Sequence, residues 1–426
     1  RFIEEDCCGK LKGKKMRYFA WTVMVTLVLV LAGCDGAPWN NPYLLAESGA
    51  NTLYSSFSEQ PKHLDPALSY NVNELQLITQ IYEPPLQYHF LKKPYTLIPA
   101  AAELPEITYR NAQGQPLPKG ADEALIAYSD YEIPLIPDIN YQPHPAFVRG
   151  ADGQFLYHAV TDAQLQGIRS IGDFAKTASR ELLAEDYVNQ IKRLVHPKIH
   201  SPVAELMKQY IVGLPELEKT LAQAYAQQSW GFFDLRPFAL EGAKVLDKYR
   251  YRIRLKGKYP QFRFWLAMTF FAPVPWEAER FYSQPGLVKK NISLDWFPLG
   301  TGPYMMLENN PNRRMLLARN PHYHPEFYPD EAPPEDREAG LLADAGQRVP
   351  FIDKVVYILE KETIPYWNKF LQGYYDASGI GSDSFDQAIQ FSQRGEAELT
   401  PDMRAKDIRL ETALTQSVYY MGFNML

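Results

Sequence analysis

Eight histidines are the first candidates for chemistry in this 426-residue chain. His196 and His200 have the four-residue spacing that sets two imidazoles on one helix face, as in a helical metal pair. Pro197 follows the first directly and no acid stands beside them as a base, so the pair reads as structural. His322 and His324 lie close to Glu326 and Asp330 in a proline-rich stretch, where a solvated loop is favoured over a divalent-ion site. Glu185 and Asp186 are adjacent, so on a helix they diverge and suit its positive N-terminal end better than joint acid–base work. Gly300-Thr301-Gly302 lacks the third glycine and the following helix of a dinucleotide loop. No Gly-x-Ser-x-Gly elbow and no phosphate loop occurs. The three cysteines, Cys7, Cys8 and Cys34, all precede Asp35, which excludes a disulfide scaffold, a thiolate zinc site and a cysteine nucleophile from the body. No catalytic residue, metal site or cofactor is expected.

What the chain has in abundance is rings: 28 tyrosines, 22 phenylalanines and 7 tryptophans. Most belong in the core, but rigid amphipathic rings also give contact area at little entropic cost, which suits a binding module. A net charge of −6 leaves no basic excess to neutralise phosphates, so nucleic acid is not an expected partner. An apolar content of 46% excludes a mostly disordered chain.

Upstream of this body, Lys10, Lys12, Lys14, Lys15 and Arg17 lead into an apolar run from Phe19 to Leu31. As a helix it would span roughly 20 Å, short of the roughly 30 Å hydrocarbon core, so residues 1–33 read as an export signal. Met16 is the expected start. Leu31-Ala32-Gly33-Cys34 resembles the bacterial lipobox, which makes Cys34 the expected lipidation site. Two or three acyl chains, at about 0.8 kcal/mol per buried methylene, anchor stably where one does not. Asp35 after the cysteine implies inner-membrane retention in a Gram-negative host, or a cell-surface lipoprotein in a Gram-positive one. Residues 34–50, with Gly36, Pro38 and Pro42, form a tether.

The elements that must position any site follow from periodicity. Asn51 to Phe57 alternates as a strand, and Leu75, Ile78 and Ile81 place a helix over Val72 to Ile81. Residues 88–172 are proline- and tyrosine-rich and read as β-strands and turns, with an extended run from Leu125 to Ile136. Ser179 to Val195 is an amphipathic helix, followed by helices over 203–211 and 215–227. Tyr249, Tyr251, Ile253 and Leu255 alternate with Arg250, Arg252 and Arg254, a strand with one buried face and one solvated or ion-paired. Residues 315–318 and 355–359 are further strands, 325–349 an exposed acidic loop, and 363–371 a helix. Strands alternating with helices make an α/β protein.

Against that layout several motifs stand out. Glu59-Gln60-Pro61-Lys62-His63-Leu64-Asp65-Pro66, Ile81-Tyr82-Glu83-Pro84 and Leu97-Ile98-Pro99 occur in order. Ala184-Glu185-Asp186-Tyr187-Val188 and Gly300-Thr301-Gly302-Pro303-Tyr304 follow, then Arg319-Asn320-Pro321 with Tyr323, and last Tyr419-Tyr420-Met421-Gly422-Phe423-Asn424. Together they resemble the family 5 extracellular solute-binding proteins, the peptide- and nickel-binding components of ABC importers. Two departures, Asn140–Ala178 in place of the usual aromatic-x-Asp/Asn-Gly turn and Leu183 in place of the capping threonine, mark an elongated subgroup.

The resemblance implies a periplasmic-binding-protein type II-like α/β fold of which this sequence carries only the first lobe, the second beginning after Asn424. It assigns 51–66 and 179–426 to the main domain and 67–178 to an inserted β-rich domain. The ligand-facing wall would be Glu59, Pro61, Tyr419, Tyr420, Phe423 and Asn424. The implied partners are a peptide or small-solute ligand, a permease and ATPase complex, and a membrane reached through the lipid anchor, with the protein itself a monomer. A peptide-sensing or chaperone-like binding lipoprotein, and an exported hydrolase, are the alternatives.

Overall fold

The computed structural model describes residues 49–228, 231–412 and 421–423. Cys34, the export segment, Tyr419, Tyr420 and Asn424 lie outside the described residues. The chain divides into two units, residues 50–366 and a second made of 1–49 with 367–426.

In the first unit, strand β1 (Thr52–Phe57) runs parallel to β12 (Lys354–Leu359). Antiparallel pairing continues through β9 (Arg314–Arg319) to β8 (Tyr304–Asn310), giving the order β1-β12-β9-β8. A second, antiparallel sheet has the order β4 (Glu106–Arg110), β5 (Tyr128–Pro134), β7 (Arg250–Lys256), β6 (Ala243–Asp247). Two strands of that sheet come from 67–178 and two from 179–426, so it crosses the boundary expected at residue 178. One buried cluster links both sheets, running from Phe57, Val355 and Leu317 to Tyr131, Ile253 and Leu255.

Strand β7 shows why the alternation was legible. Tyr251, Ile253 and Leu255 are buried, while Arg252 and Arg254 turn to the other face. There Asp130 of β5, directly opposite Arg254 in the register, accepts from Arg254 Nε at 2.7 Å and from Arg110 Nε at 2.5 Å. Burial pushes the Asp130 pKa up, but the two guanidinium hydrogen bonds outweigh it and hold the carboxyl below its ordinary range. That face is ion-paired.

Helix α1 (Val72–Ile78) precedes helix α2 (Ala184–Arg193), which lies on β6 and β7, with Tyr187 stacked on Tyr251 at 5.1 Å. The helix predicted from Ser179 begins only at Ala184, because Glu181 bridges back to Asn140 and the Arg180 carbonyl accepts the Tyr141 N–H. With Leu183 at the cap, the orphan amide is met differently: the Leu183 N–H donates to the Asp186 carboxylate at 3.0 Å. Helices α3 (Ala204–Tyr210) and α4 (Leu214–Ala226) follow, and helix α5 (Trp276–Tyr282) completes the frame.

The stretch Asn140–Ala178 is tied into this frame. Tyr141 and His144 are buried, and His144 Nε2 lies 2.8 Å from the Tyr282 hydroxyl. That hydroxyl donates to the Phe297 carbonyl, so His144 donates from Nε2 and accepts the Ala146 N–H at Nδ1. Burial drives its pKa down to about 3, and it is a neutral core imidazole.

The acidic stretch 325–349 differs from the expected loop. Although mostly exposed, it is pinned by strands β10 (Glu326–Phe327) and β11 (Arg348–Val349), which pair antiparallel around a short helix, Pro334–Glu338. Strands β2 (Leu86–Tyr88) and β3 (Leu97–Pro99) form a ladder of their own.

The second unit has a small core of Trp367, Ala388, Ile389, Leu399 and Met403. Trp367 ends up there on helix α6 (Thr363–Leu371), with its indole N–H donating to Gln387 at 2.8 Å. The hairpin β13 (Ile389–Phe391) and β14 (Ala397–Leu399) supplies the rest.

Candidate functional site

Glu59 and Pro61 sit in the turn that leaves β1, a segment held from below by one carboxylate. Glu74 of α1 accepts the N–H groups of Lys62 and His63 at one oxygen, and the Ser69 hydroxyl with the N–H groups of Tyr70 and Asn71 at the other. Burial pushes the Glu74 pKa up, but the backbone amides of His63, Asn71 and Lys62 outweigh it and hold it low. Pro61 is buried in this turn and Glu59 is exposed, its carbonyl accepting from Asn73. The pairing of Asn71 with Glu74 three residues later is a helix-start signal in the sequence, and it could have revealed this clamp.

The aspartate of Leu64-Asp65-Pro66 faces inward. Arg193, at the end of α2, donates from Nη1 and Nη2 to the two Asp65 oxygens at 3.0 and 2.5 Å and from Nε to Glu279 at 2.8 Å. This motif residue therefore fastens the turn after β1 to α2 and α5. Arg180 is the matching tie at the other end of α2, reaching Asp186 and Glu277 at 2.7 Å each.

Glycine spacing in Gly300-Thr301-Gly302-Pro303-Tyr304 has a purely steric cause. The segment lies against residues 80–82: Gly302 N–H donates to the Ile81 carbonyl and Tyr304 N–H to the Gln80 carbonyl, both at 2.9 Å. A Cβ on Gly300 would overlap that Ile81 oxygen, and one on Gly302 would stand 2.7 Å from it. Asn320 then closes the arrangement, its side chain donating to the Gly302 carbonyl at 2.9 Å.

Together with His324, two of these motifs meet at Glu83. Its carboxylate accepts from Thr301 Oγ1 at 2.9 Å and lies 2.5 Å from His324 Nε2. Burial pushes the His324 pKa down, yet the hydrogen bond and charge of Glu83, with Glu326 and the Pro325 backbone, raise it above the ordinary imidazole value. His324 is thus no solvated loop residue, as its sequence surroundings suggested, but a largely buried partner of an acid 241 positions away. No local sequence signal joins them.

Beside this tie lies a cleft of about 520 Å³. Tyr82, Leu86 and Tyr304 belong to its buried floor, and Tyr88, Phe90 and Phe351 stand exposed at its rim.

Of the predicted ligand wall, Glu59 and Pro61 share the turn after β1, and Phe423 is described as exposed. His196, the first of the helically spaced pair, packs among Tyr225 and Phe233. Its Nδ1 accepts the Lys198 N–H at 3.1 Å, so that nitrogen is occupied by a backbone donor.

The model of bacterial extracellular solute-binding proteins, family 5 Middle, matches residues 179–426. The chain belongs to that family, and its mixed α/β fold accords with the periplasmic-binding-protein type II-like class expected of it. No curated protein matches. Among solved structures, the chain is similar to Listeria monocytogenes OppA bound to peptide, with 15% identity over 82% of this chain and 54% of that one (TM-score 0.49). It is also similar to Helicobacter pylori DppA in complex with peptide STSA, with 16% identity over 80% and 48% (TM-score 0.49). Burkholderia pseudomallei OppA is comparable, with 16% identity over 80% and 49% (TM-score 0.47). The chain spans about half the length of these structures.

Proposed function

We propose that this protein is the ligand-capturing lipoprotein of a bacterial ABC importer, taking extended peptides or similar small solutes and handing them to a permease and its ATPase. The family match over residues 179–426 carries this reading. Capture without chemistry suits the site: a peptide is held through backbone hydrogen bonds indifferent to side-chain identity, with water filling the side-chain pockets. Residues 51–426 would contribute one lobe, with Glu59 and Pro61 beside Tyr419, Tyr420, Phe423 and Asn424 on its ligand-facing wall. Glu59 would meet a basic group of the ligand, directly or through water. Diacylated Cys34 would anchor the protein on the outer face of the inner membrane, or on the cell surface in a Gram-positive host.

Mass spectrometry of molecules that co-purify with the protein is the direct test, and peptides of mixed sequence are expected. Titration with those peptides should weaken in Glu59→Gln when they carry a basic group. Hydrolysis of a peptide or ester panel by the purified protein would instead establish the enzyme alternative.

A further inference from the structure

The cleft beside Glu83 is independent of the ligand wall at Glu59, and its lining chemistry is specific. Phe90 stacks parallel to Tyr328 at 6.4 Å, and Tyr328 meets Phe351 at 6.1 Å, so three rings run in a row along one side. Phe90 remains 55% exposed and Phe351 37% exposed, although both belong to a concave surface. Two acids, Glu83 and Glu326, share the lining, and among the described residues no lysine, arginine or histidine lines the space.

The two acids are not equivalent. Glu83 has the His324 imidazole as a partner behind the lining. Glu326 is hydrogen-bonded by neutral donors, the Tyr323 hydroxyl at one oxygen and the Gln87 amide at the other, each at 2.5 Å, so the one imidazole of His324 serves two carboxylates. Both oxygens accept, and each keeps a lone pair for a further donor. A carboxylate fixed by two neutral donors, beside negative ring faces, is a field that a positive ligand completes. The volume falls within the 300–1,000 Å³ common for small-molecule sites.

We propose that this cleft is a second binding site, for a small organic cation: an ammonium or guanidinium group on an apolar or aromatic body. The charged head pairs with Glu326 and the body lies along Phe90, Tyr328 and Phe351. A free amine and a lysine side chain of a short peptide share this chemistry.

Phenethylammonium, its neutral isostere phenethyl alcohol, and a blocked lysine tripeptide serve as probes, titrated calorimetrically into the full chain. Saturable binding of a cationic probe is expected, weakened about tenfold by Glu326→Gln, while any binding of the alcohol is unchanged. Phe90→Ala, at an exposed ring whose loss leaves the core intact, should weaken the same probe several-fold. Tighter binding of phenethylammonium assigns the site to free amines, and tighter binding of the tripeptide assigns it to peptide side chains. Absence of saturable binding by both cationic probes overturns the proposal, as does equal affinity for amine and alcohol or indifference to both substitutions. Phenethylammonium has no peptide backbone to engage the Glu59 wall, so its loss in Glu326→Gln and a loss of co-purified peptide in Glu59→Gln are read separately.

Discussion

At the scale of single residues, the motifs of this chain prove to be joints rather than reagents. Asp65 receives a guanidinium, Gly300 and Gly302 let two backbones touch, and Glu83 receives both Thr301 and His324. The His324 tie has a definite pH signature. Its pKa is raised in the folded protein, so the stabilisation is fully present below the unfolded value of about 6.5 and is lost as pH rises through the higher folded value. Chemical unfolding of the wild type and of His324→Gln should therefore differ most near about pH 6 and converge in mild alkali. A gap that stays constant or widens with rising pH would show that His324 is not held as an imidazolium by Glu83. None of this tie could be read locally, since its partners are 241 and 218 residues apart.

Among elements, α2 organises the first unit. Its apolar face was legible from periodicity, because Tyr187, Ile191 and Leu194 are buried as expected. Its ends were not: the start is set by the bridge of Glu181 to Asn140, and Arg193 at the finish pairs with acids 128 and 86 positions away. Arg193 is 3% exposed and stands between Asp65 and Glu279, so removing it strands two carboxylates in the core. Arg193→Met should cost about 3–5 kcal/mol of unfolding free energy, measured by urea denaturation. A loss under about 1 kcal/mol would mean that the pair is solvated in solution. Strand β7 was read correctly for the complementary reason: alternation is a local pattern, and only the partner of its arginines, Asp130, lay out of sight.

For the whole molecule, the division at residue 366 is a statement about cooperativity. The larger unit holds both four-stranded sheets and a core that links them. Residues 50–366 expressed alone are therefore expected to unfold in a single transition, with near-ultraviolet and far-ultraviolet signals changing together. Separate transitions would show that the two sheets are independently stable. Composition marked residues 88–172 as β-rich, which is a local property, and only the family resemblance implied an insertion over 67–178; that strands β4 and β5 are completed by β6 and β7 is a long-range pairing. The ligand wall was nameable only through family resemblance, since Glu59 has no chemical neighbour that distinguishes it from any exposed acid.

The pairing of β1 with β12 also governs the order in which the molecule comes into being. Asn51 and Asp353, hydrogen-bonded at the foot of the sheet, are 302 residues apart, whereas β8 and β9 are adjacent in the chain. Closing so long a loop is slow, and the short hairpin needs no such search. During synthesis β1 emerges first and waits longest. The turn that carries Glu59 is attached to it, so the proposed ligand wall is the last part of the first sheet to acquire its shape.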